Sequence, residues 1–108
     1  MRWIVTYYNE RVKRDIFAMP SGVIADYLRL LELMRDFGAD WRMPHSRAMG
    51  DGPFELRPKG REGIGRVFYC MSVGQRIVML HSFVKKTQNT PQHELRIARD
   101  RLKEVRNG

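Results

Sequence analysis

The stretch GRVFYCMSVGQRIVMLHSFV, residues 65–84, decides the fold because it holds two long apolar segments joined by a short polar connection. In the first segment, successive side chains belong to two different sets. One face would carry Val67, Tyr69, Met71 and Val73, and the other Arg66, Phe68, Cys70 and Ser72. Alternation with a period of two indicates a β-strand. Gly74 and Gln75 then supply a tight turn. The second segment, 76–84, is apolar on both faces, which is typical of a central strand covered on two sides.

Two helices are predicted between a first strand and this hairpin. Residues 3–8 (WIVTYY) are β-branched and aromatic, which favours a strand. Asn9 can cap a short helix over residues 10–19, where apolar residues recur at helical spacing. Residues 21–37 carry a wide apolar stripe opposite charged side chains, and Gly38 follows as a glycine that ends the helix.

Shorter sequence patterns predict the remaining helix and strand. Residues 39–53 predict a loop, because proline and glycine interrupt every periodic pattern there. Residues 54–57 (FELR) alternate as a short strand, and residues 59–63 supply a turn before the hairpin. Thr90 and Pro91 predict the start of a last helix, since a hydroxyl N-cap precedes a proline at the first helical position.

The order of these elements predicts the fold class. Strand, helix, helix, three strands and helix (β-α-α-β-β-β-α) make one α+β domain over residues 1–108. We expect an antiparallel sheet of about four strands, with two N-terminal helices and one C-terminal helix packed on one face.

The composition excludes several classes of protein. The chain has 108 residues and a mass of 12.8 kDa, which suits one core and leaves no room for a second. No apolar run approaches the ~20 residues that cross a bilayer, and no signal peptide is present, so a cytoplasmic location is expected. Cys70 is the single cysteine and the three histidines are scattered, so we expect no metal and no cofactor.

Charge is the most informative property of the chain. Twenty basic and twelve acidic side chains give a net charge of +8. Residues 53–108 alone carry twelve of the basic and five of the acidic side chains. A positive field concentrated in one half favours a polyanionic partner such as nucleic acid. The alternative is a basic surface that only keeps the protein soluble.

Several of these cations are predicted to meet at one end of the sheet. In an antiparallel meander, the end of one strand lies beside the start of the next. This rule brings together Arg57, Lys59, Arg66, Lys85 and Lys86. Clustered like charges suit a site that binds phosphate, although they could also be ordinary solvated strand ends, and Glu55 could pair with Arg57.

Three blocks of sequence resemble a known family. They are FELR (54–57), RVFY (66–69) and LHSFVKKTQNTP (80–91), of which the last is the most specific. In these blocks, and in the order of its elements along nearly the whole chain, the protein resembles the phage-derived, HigB-like branch of the RelE/ParE toxins.

The resemblance implies the toxin of a type II toxin–antitoxin system that cuts mRNA on the ribosome and so inhibits translation. The reaction is metal-independent, because the ribose 2′-hydroxyl attacks the adjacent scissile phosphate. Such chemistry needs a base, an acid and cations for the developing charge. The implied partners are the ribosome, mRNA and a cognate antitoxin, expected to be a helix-turn-helix DNA-binding protein.

The resemblance also suggests roles for individual residues. Arg66 is expected to clamp the phosphate in the transition state, and Lys85 or Lys86 to act as general base or acid. Secondary candidates are His81 for proton transfer and Tyr69 for stacking on a base, although a histidine bonded within the sheet is the simpler interpretation of His81. The RNA phosphates are assigned to Arg57, Lys59 and Arg61.

Two other functions remain open at this point. ParE-like members of the superfamily poison DNA gyrase through protein contacts and do not cut RNA. A gyrase poison would not need the basic cluster, so its toxicity would survive neutralisation of Arg66, Lys85 or Lys86. A third possibility is an inactive binding module that keeps the fold and its antitoxin partner.

Overall fold

The computed structural model describes residues 2–37, 46–48, 52–72, 74–85 and 91–107. In these ranges the chain forms three helices and six strands, which confirms the predicted α+β class. The elements are β1 (Ile4–Tyr7), α1 (Glu10–Phe17), α2 (Ser21–Phe37), β2 (Ser46–Ala48), β3 (Phe54–Leu56), β4 (Lys59–Gly60), β5 (Gly63–Ser72), β6 (Arg76–Lys85) and α3 (Gln92–Asn107). No helix in the described ranges is both long enough and apolar enough to span a bilayer.

The sheet is mixed, so the prediction of an antiparallel sheet of about four strands was wrong. Its strands follow the order β1-β6-β5-β3-β2, and β4 pairs with β5 beside this path. β1 runs parallel to β6, whereas every other pairing is antiparallel. A strand followed by two helices can return in the parallel direction, because the helices carry the chain back across the sheet. β2 lies within the segment predicted as a loop, where its three residues were too few to show a pattern.

Local sequence signals account for the helix boundaries. The side-chain oxygen of Asn9 accepts a hydrogen bond from the amide of Val12 at 2.9 Å, which confirms the predicted cap of α1. α2 has the predicted bounds, and its predicted end signal, Gly38, lies outside the described residues. α3 begins directly after Pro91, whose carbonyl accepts the amide of Leu95 at 3.3 Å. The predicted cap Thr90 also lies outside the described residues.

Helices cover both faces of the sheet, which corrects the expectation that all three pack on one face. The core beneath α1 and α2 contains buried residues from both helices, from the connection between them and from three strands: Val12, Ile16, Met19, Val23, Tyr27, Leu30, Leu31, Met34, Leu56, Val67, Tyr69, Ile77 and Met79. On the other face, Leu95, Ala98 and Leu102 of α3 pack against β5 and β6. β6 lies between β1 and β5 with helices on both of its faces, so it is the interior strand covered on two sides that its sequence predicted.

A β-bulge changes the phase of β6 halfway along its length. Tyr69 pairs with Met79 and Phe68 with His81, which leaves Leu80 as the extra residue on β6. Leu80 packs with Leu102, and His81 bonds to α3, so two consecutive residues face the same helix. A regular strand would direct them to opposite faces. The bulge therefore brings His81 to the α3 side of the sheet.

The two leucines of α2 provide a matched test of this core. Leu30 is fully buried, whereas Leu28 is 44% exposed on the same helix. We expect Leu30→Ala to lower the free energy of unfolding by about 2–5 kcal/mol, because it removes buried methyl groups and leaves a cavity. Leu28→Ala should change it by less than about 1 kcal/mol. If urea titrations show the same loss of unfolding free energy for both variants, the assignment of Leu30 to the core and Leu28 to the surface is wrong.

Candidate nucleic-acid interface

The register of three strands brings two predicted cationic positions to one end of the sheet. Ile64 of β5 lies between Lys59 of β4 and Lys85 of β6. Strands are spaced by 4.7–4.9 Å, so the Cα atoms of the two lysines are about 10 Å apart. Arg66 follows two residues further along β5, opposite Phe83. The side chain of Lys85 and the whole of Lys86 lie outside the described residues.

Arg66 lies beneath the surface beside a buried carboxylate. Its side chain is 6% exposed and that of Glu55 is fully buried, with 3.6 Å between Arg66 Nε and Glu55 Oε2. Arg66 Nη1 also donates to the carbonyl of Gly65 at 3.3 Å. Glu55 is opposite Phe68 in the register, which makes Arg66 its diagonal neighbour on the same face. The structure thus places Glu55 against Arg66, and the pairing of Glu55 with Arg57 stays a prediction.

The other predicted phosphate ligands occupy the segment between β3 and β5. Arg57 follows β3 and is half-buried, whereas Lys59 and Arg61 are exposed. The backbone amide of Lys59 donates to Asp26 Oδ2 of α2 at 2.7 Å, which ties β4 to the helical layer. Arg61 lies in the turn between β4 and β5. The exposed cations at this end of the sheet are thus held on a short hairpin anchored to α2.

His81 links the sheet to α3. Its Nε2 atom lies 2.7 Å from Glu94 Oε1, and the same carboxylate oxygen lies 3.7 Å from His93 Nε2. The His81 side chain is 16% exposed. This bond joins β6 to α3, and it fits a structural histidine as well as one oriented for proton transfer, so both interpretations of His81 stay predictions.

Tyr69 does not have the exposure that base stacking requires. It is 1% exposed and belongs to the core beneath α1 and α2. Its ring stacks on Phe54, with 5.5 Å between centroids. The structure therefore assigns Tyr69 to packing, which corrects the role suggested by the resemblance. Strand alternation alone could not distinguish a stacking platform from a core position.

Cys70 lies on the opposite face of β5, toward α3. It is 2% exposed and packs with Val78, Leu80 and Leu102. Burial raises the pKa of the Cys70 thiol above its ordinary value, so the nucleophilic thiolate is disfavoured. The thiol is therefore a small core residue.

The sequence did not indicate the acidic partners of His81 and Arg66. Glu94 was not connected with His81, and Glu55 was not connected with Arg66. Neither pairing has a sequence signal, because the residues are 13 and 11 positions apart and no local period relates them. They meet only through the bulge and through the offset between β3 and β5.

Comparison with known protein families gives a match for this chain. The family model of phage-derived Gp49-like proteins matches residues 14–103. That range includes both predicted lysines, the Glu55–Arg66 pair and most of α3. The family is associated with RelE-like proteins of toxin–antitoxin modules. No curated protein matches the chain.

The Glu55–Arg66 pair can be tested by a double-mutant cycle. We expect Glu55→Leu to destabilise the fold by about 3–5 kcal/mol, because it leaves a guanidinium buried without its carboxylate. The double variant Glu55→Leu/Arg66→Met should lose less free energy of unfolding than Glu55→Leu alone, since it removes both charges together. Urea unfolding of the wild type, both single variants and the double variant measures the coupling. Additive losses would show that the two side chains do not stabilise each other.

Cys70 provides an independent check on α3 packing. Because the thiol is buried and its pKa is raised, a disulfide reagent should label the native protein at least roughly tenfold more slowly than the protein in guanidinium. The chain has one cysteine, so the colour released by the reagent reports this site alone. Fast stoichiometric labelling of the native protein would show that α3 does not cover β5.

Proposed function

The chain belongs to the phage-derived Gp49-like family, and we propose that it is the toxin of a type II toxin–antitoxin module that cuts mRNA on the ribosome. The association of the family with toxin–antitoxin modules supports the first part. The second part rests on the register that gathers Lys59, Arg66 and Lys85 at one end of the sheet, in a chain of net charge +8.

The proposed reaction is an internal transesterification of RNA. The ribose 2′-oxygen attacks the adjacent phosphorus while a base takes up the 2′-hydroxyl proton. The bond between phosphorus and the 5′-oxygen then breaks, and an acid delivers a proton to that oxygen. The products are a 2′,3′-cyclic phosphate, which water can open to a 3′-phosphate, and a 5′-hydroxyl end. Such a reaction needs proton transfer and a cation beside the phosphate.

Arg66 is our candidate for the cation that stabilises the extra negative charge. Its guanidinium is held by Glu55, so its position is set before RNA binds. A preorganised cation with little solvent around it stabilises charge more effectively than one in bulk water. Only 6% of the Arg66 side chain is exposed, so the phosphate would contact only this small part of it.

The proton transfers are assigned to the lysines at the end of β6. Lys85 is our first candidate, because the register sets it two residues beyond the partner of Arg66. Lys86, which lies outside the described residues, remains the second. Lys59, Arg61 and Arg57 would hold flanking RNA phosphates. His81 has a smaller part, since its ring is already bonded to Glu94.

The proposed partners are those that the basic end of the sheet could bind. A cognate antitoxin, expected to be a helix-turn-helix DNA-binding protein, would neutralise the toxin by covering the basic end of the sheet or by blocking its entry into the ribosome. Association with ribosomal RNA would be electrostatic and therefore sensitive to salt.

Primer extension on a reporter mRNA in a reconstituted translation reaction tests this function. We expect the purified wild-type protein to cut the message only when ribosomes are present. Lys85→Ala and Arg66→Lys should each reduce cleavage by about 100-fold or more, because each removes a group that acts in the transition state. Arg66→Lys is preferred to Arg66→Ala because it keeps a positive charge beside buried Glu55.

Arg11→Gln serves as the matched control, because it removes one positive charge from an exposed position on α1. It should cut as the wild type does. Urea unfolding of every variant separates loss of activity from loss of fold. If no message is cut, and growth arrest survives both substitutions, the proposal fails. Inhibition of gyrase supercoiling would then be the next measurement.

A further inference from the structure

A cleft of about 520 Å³ lies between α3 and the segment that leads into β3. Four basic side chains of α3 line it, namely Arg96, Arg99, Lys103 and Arg106, together with one carboxylate, Asp100. The four cations are spaced by three, four and three residues, which sets them on one side of the helix. At 1.5 Å per residue the row is about 15 Å long.

These four charges are not used to hold the fold together. In the described part of the chain, none of them forms an ion pair within 4 Å, and the buried Nε of Arg99 has no hydrogen-bond partner. Arg101 of the same helix is a contrast, because its Nη1 donates to the carbonyl of Leu80 at 2.7 Å and its guanidinium lies 4.8 Å from the centre of the Tyr8 ring. A row of four cations with one carboxylate, Asp100, beside it keeps an excess of positive charge, which is costly unless a further anion shares the cleft.

We propose that this cleft binds the phosphate backbone of single-stranded RNA. A straight row of cations matches a linear polyanion, and arginine suits phosphate because its guanidinium can donate two parallel hydrogen bonds. A protein partner is disfavoured, since protein interfaces combine arginine with apolar and aromatic anchors at a desolvated centre. The large apolar side chain in the lining, Leu102, is only 4% exposed and offers almost no surface.

The position of α3 relates the cleft to the candidate cleavage site. The N-terminal half of the helix packs through Leu95 and Ala98 against Phe68 and Phe83. Phe83 is paired with Arg66 in the sheet, so the Arg96 end of the row is the end nearer to Arg66. An RNA strand lying along α3 would therefore lead toward that residue. The choice of RNA as the source of the phosphates rests on the proposed function, whereas the phosphate binding itself does not.

Fluorescence anisotropy with a labelled twelve-nucleotide 2′-O-methyl RNA tests the proposal. This probe cannot be cut by attack of a 2′-hydroxyl, so binding is measured without cleavage and without ribosomes. The variant is Arg96→Gln/Lys103→Gln, which removes two exposed charges of the row. The control is Arg11→Gln/Arg14→Gln, which removes two exposed charges of α1 on the other side of the sheet.

Each phosphate contact to a single strand contributes about −0.7 to the slope of log K against log salt. Loss of two contacts should therefore make the slope shallower by about 1.4 and weaken binding about 25-fold at 0.1 M salt, if affinities converge at 1 M. The control pair should change affinity by less than about threefold.

Three results would overturn the proposal. Equal losses in both double variants would show that only net charge matters. Tighter binding of duplex DNA of the same length through Arg96 and Lys103 would exclude a single-strand site. Displacement of the RNA by polyglutamate at a lower concentration than by polyuridylate would indicate an acidic protein partner. None of these results depends on cleavage, so this site and the proposed ribonuclease can fail separately.

Discussion

The antiparallel pairing of β5 and β6 is the constraint on which the rest of the structure depends. Both strands are ten residues long, and each contributes side chains to the cores on the two faces of the sheet. α1 and α2 can bury their apolar stripes only on one side of this pair, and α3 only on the other. The bulge between Phe68 and Tyr69 allows Leu80 and His81 to face α3 together, so packing and polar contact of that helix occur side by side.

The same pairing places Arg66 in a position that is unusual for a cation. A buried guanidinium is costly unless a carboxylate and hydrogen bonds compensate for its lost hydration. Glu55 supplies the carboxylate from the neighbouring strand. Replacing a buried ion pair by apolar residues of similar volume is often neutral or stabilising, so fold stability alone is a weak explanation for the two charges. The phosphate-binding role proposed for Arg66 would account for the presence of both charges.

The pairing of charged side chains differs between the two faces of the sheet. The α1 and α2 side carries cations that face acidic neighbours, as in Arg29 with Asp26 and Arg35 with Glu32. In the described part of the chain, the four basic side chains of the α3 row form no ion pair within 4 Å, and they lie in the strongly basic half of the sequence. In the described residues, the basic row of α3 thus lies on the face of the sheet opposite α1 and α2.

The amino-acid sequence by itself determined the helices, the hairpin and the α+β class. These follow from local signals, such as the Asn9 cap and the apolar period of residues 21–37, which act within a few residues. The parallel pairing of β1, the placement of α3 on the opposite face and the burial of Tyr69 were decided only by the tertiary structure. So were the Glu55–Arg66 and His81–Glu94 pairs. The physical reason is that strand order, register and bulges join segments far apart along the chain, and a one-residue change in register moves a side chain from one face to the other.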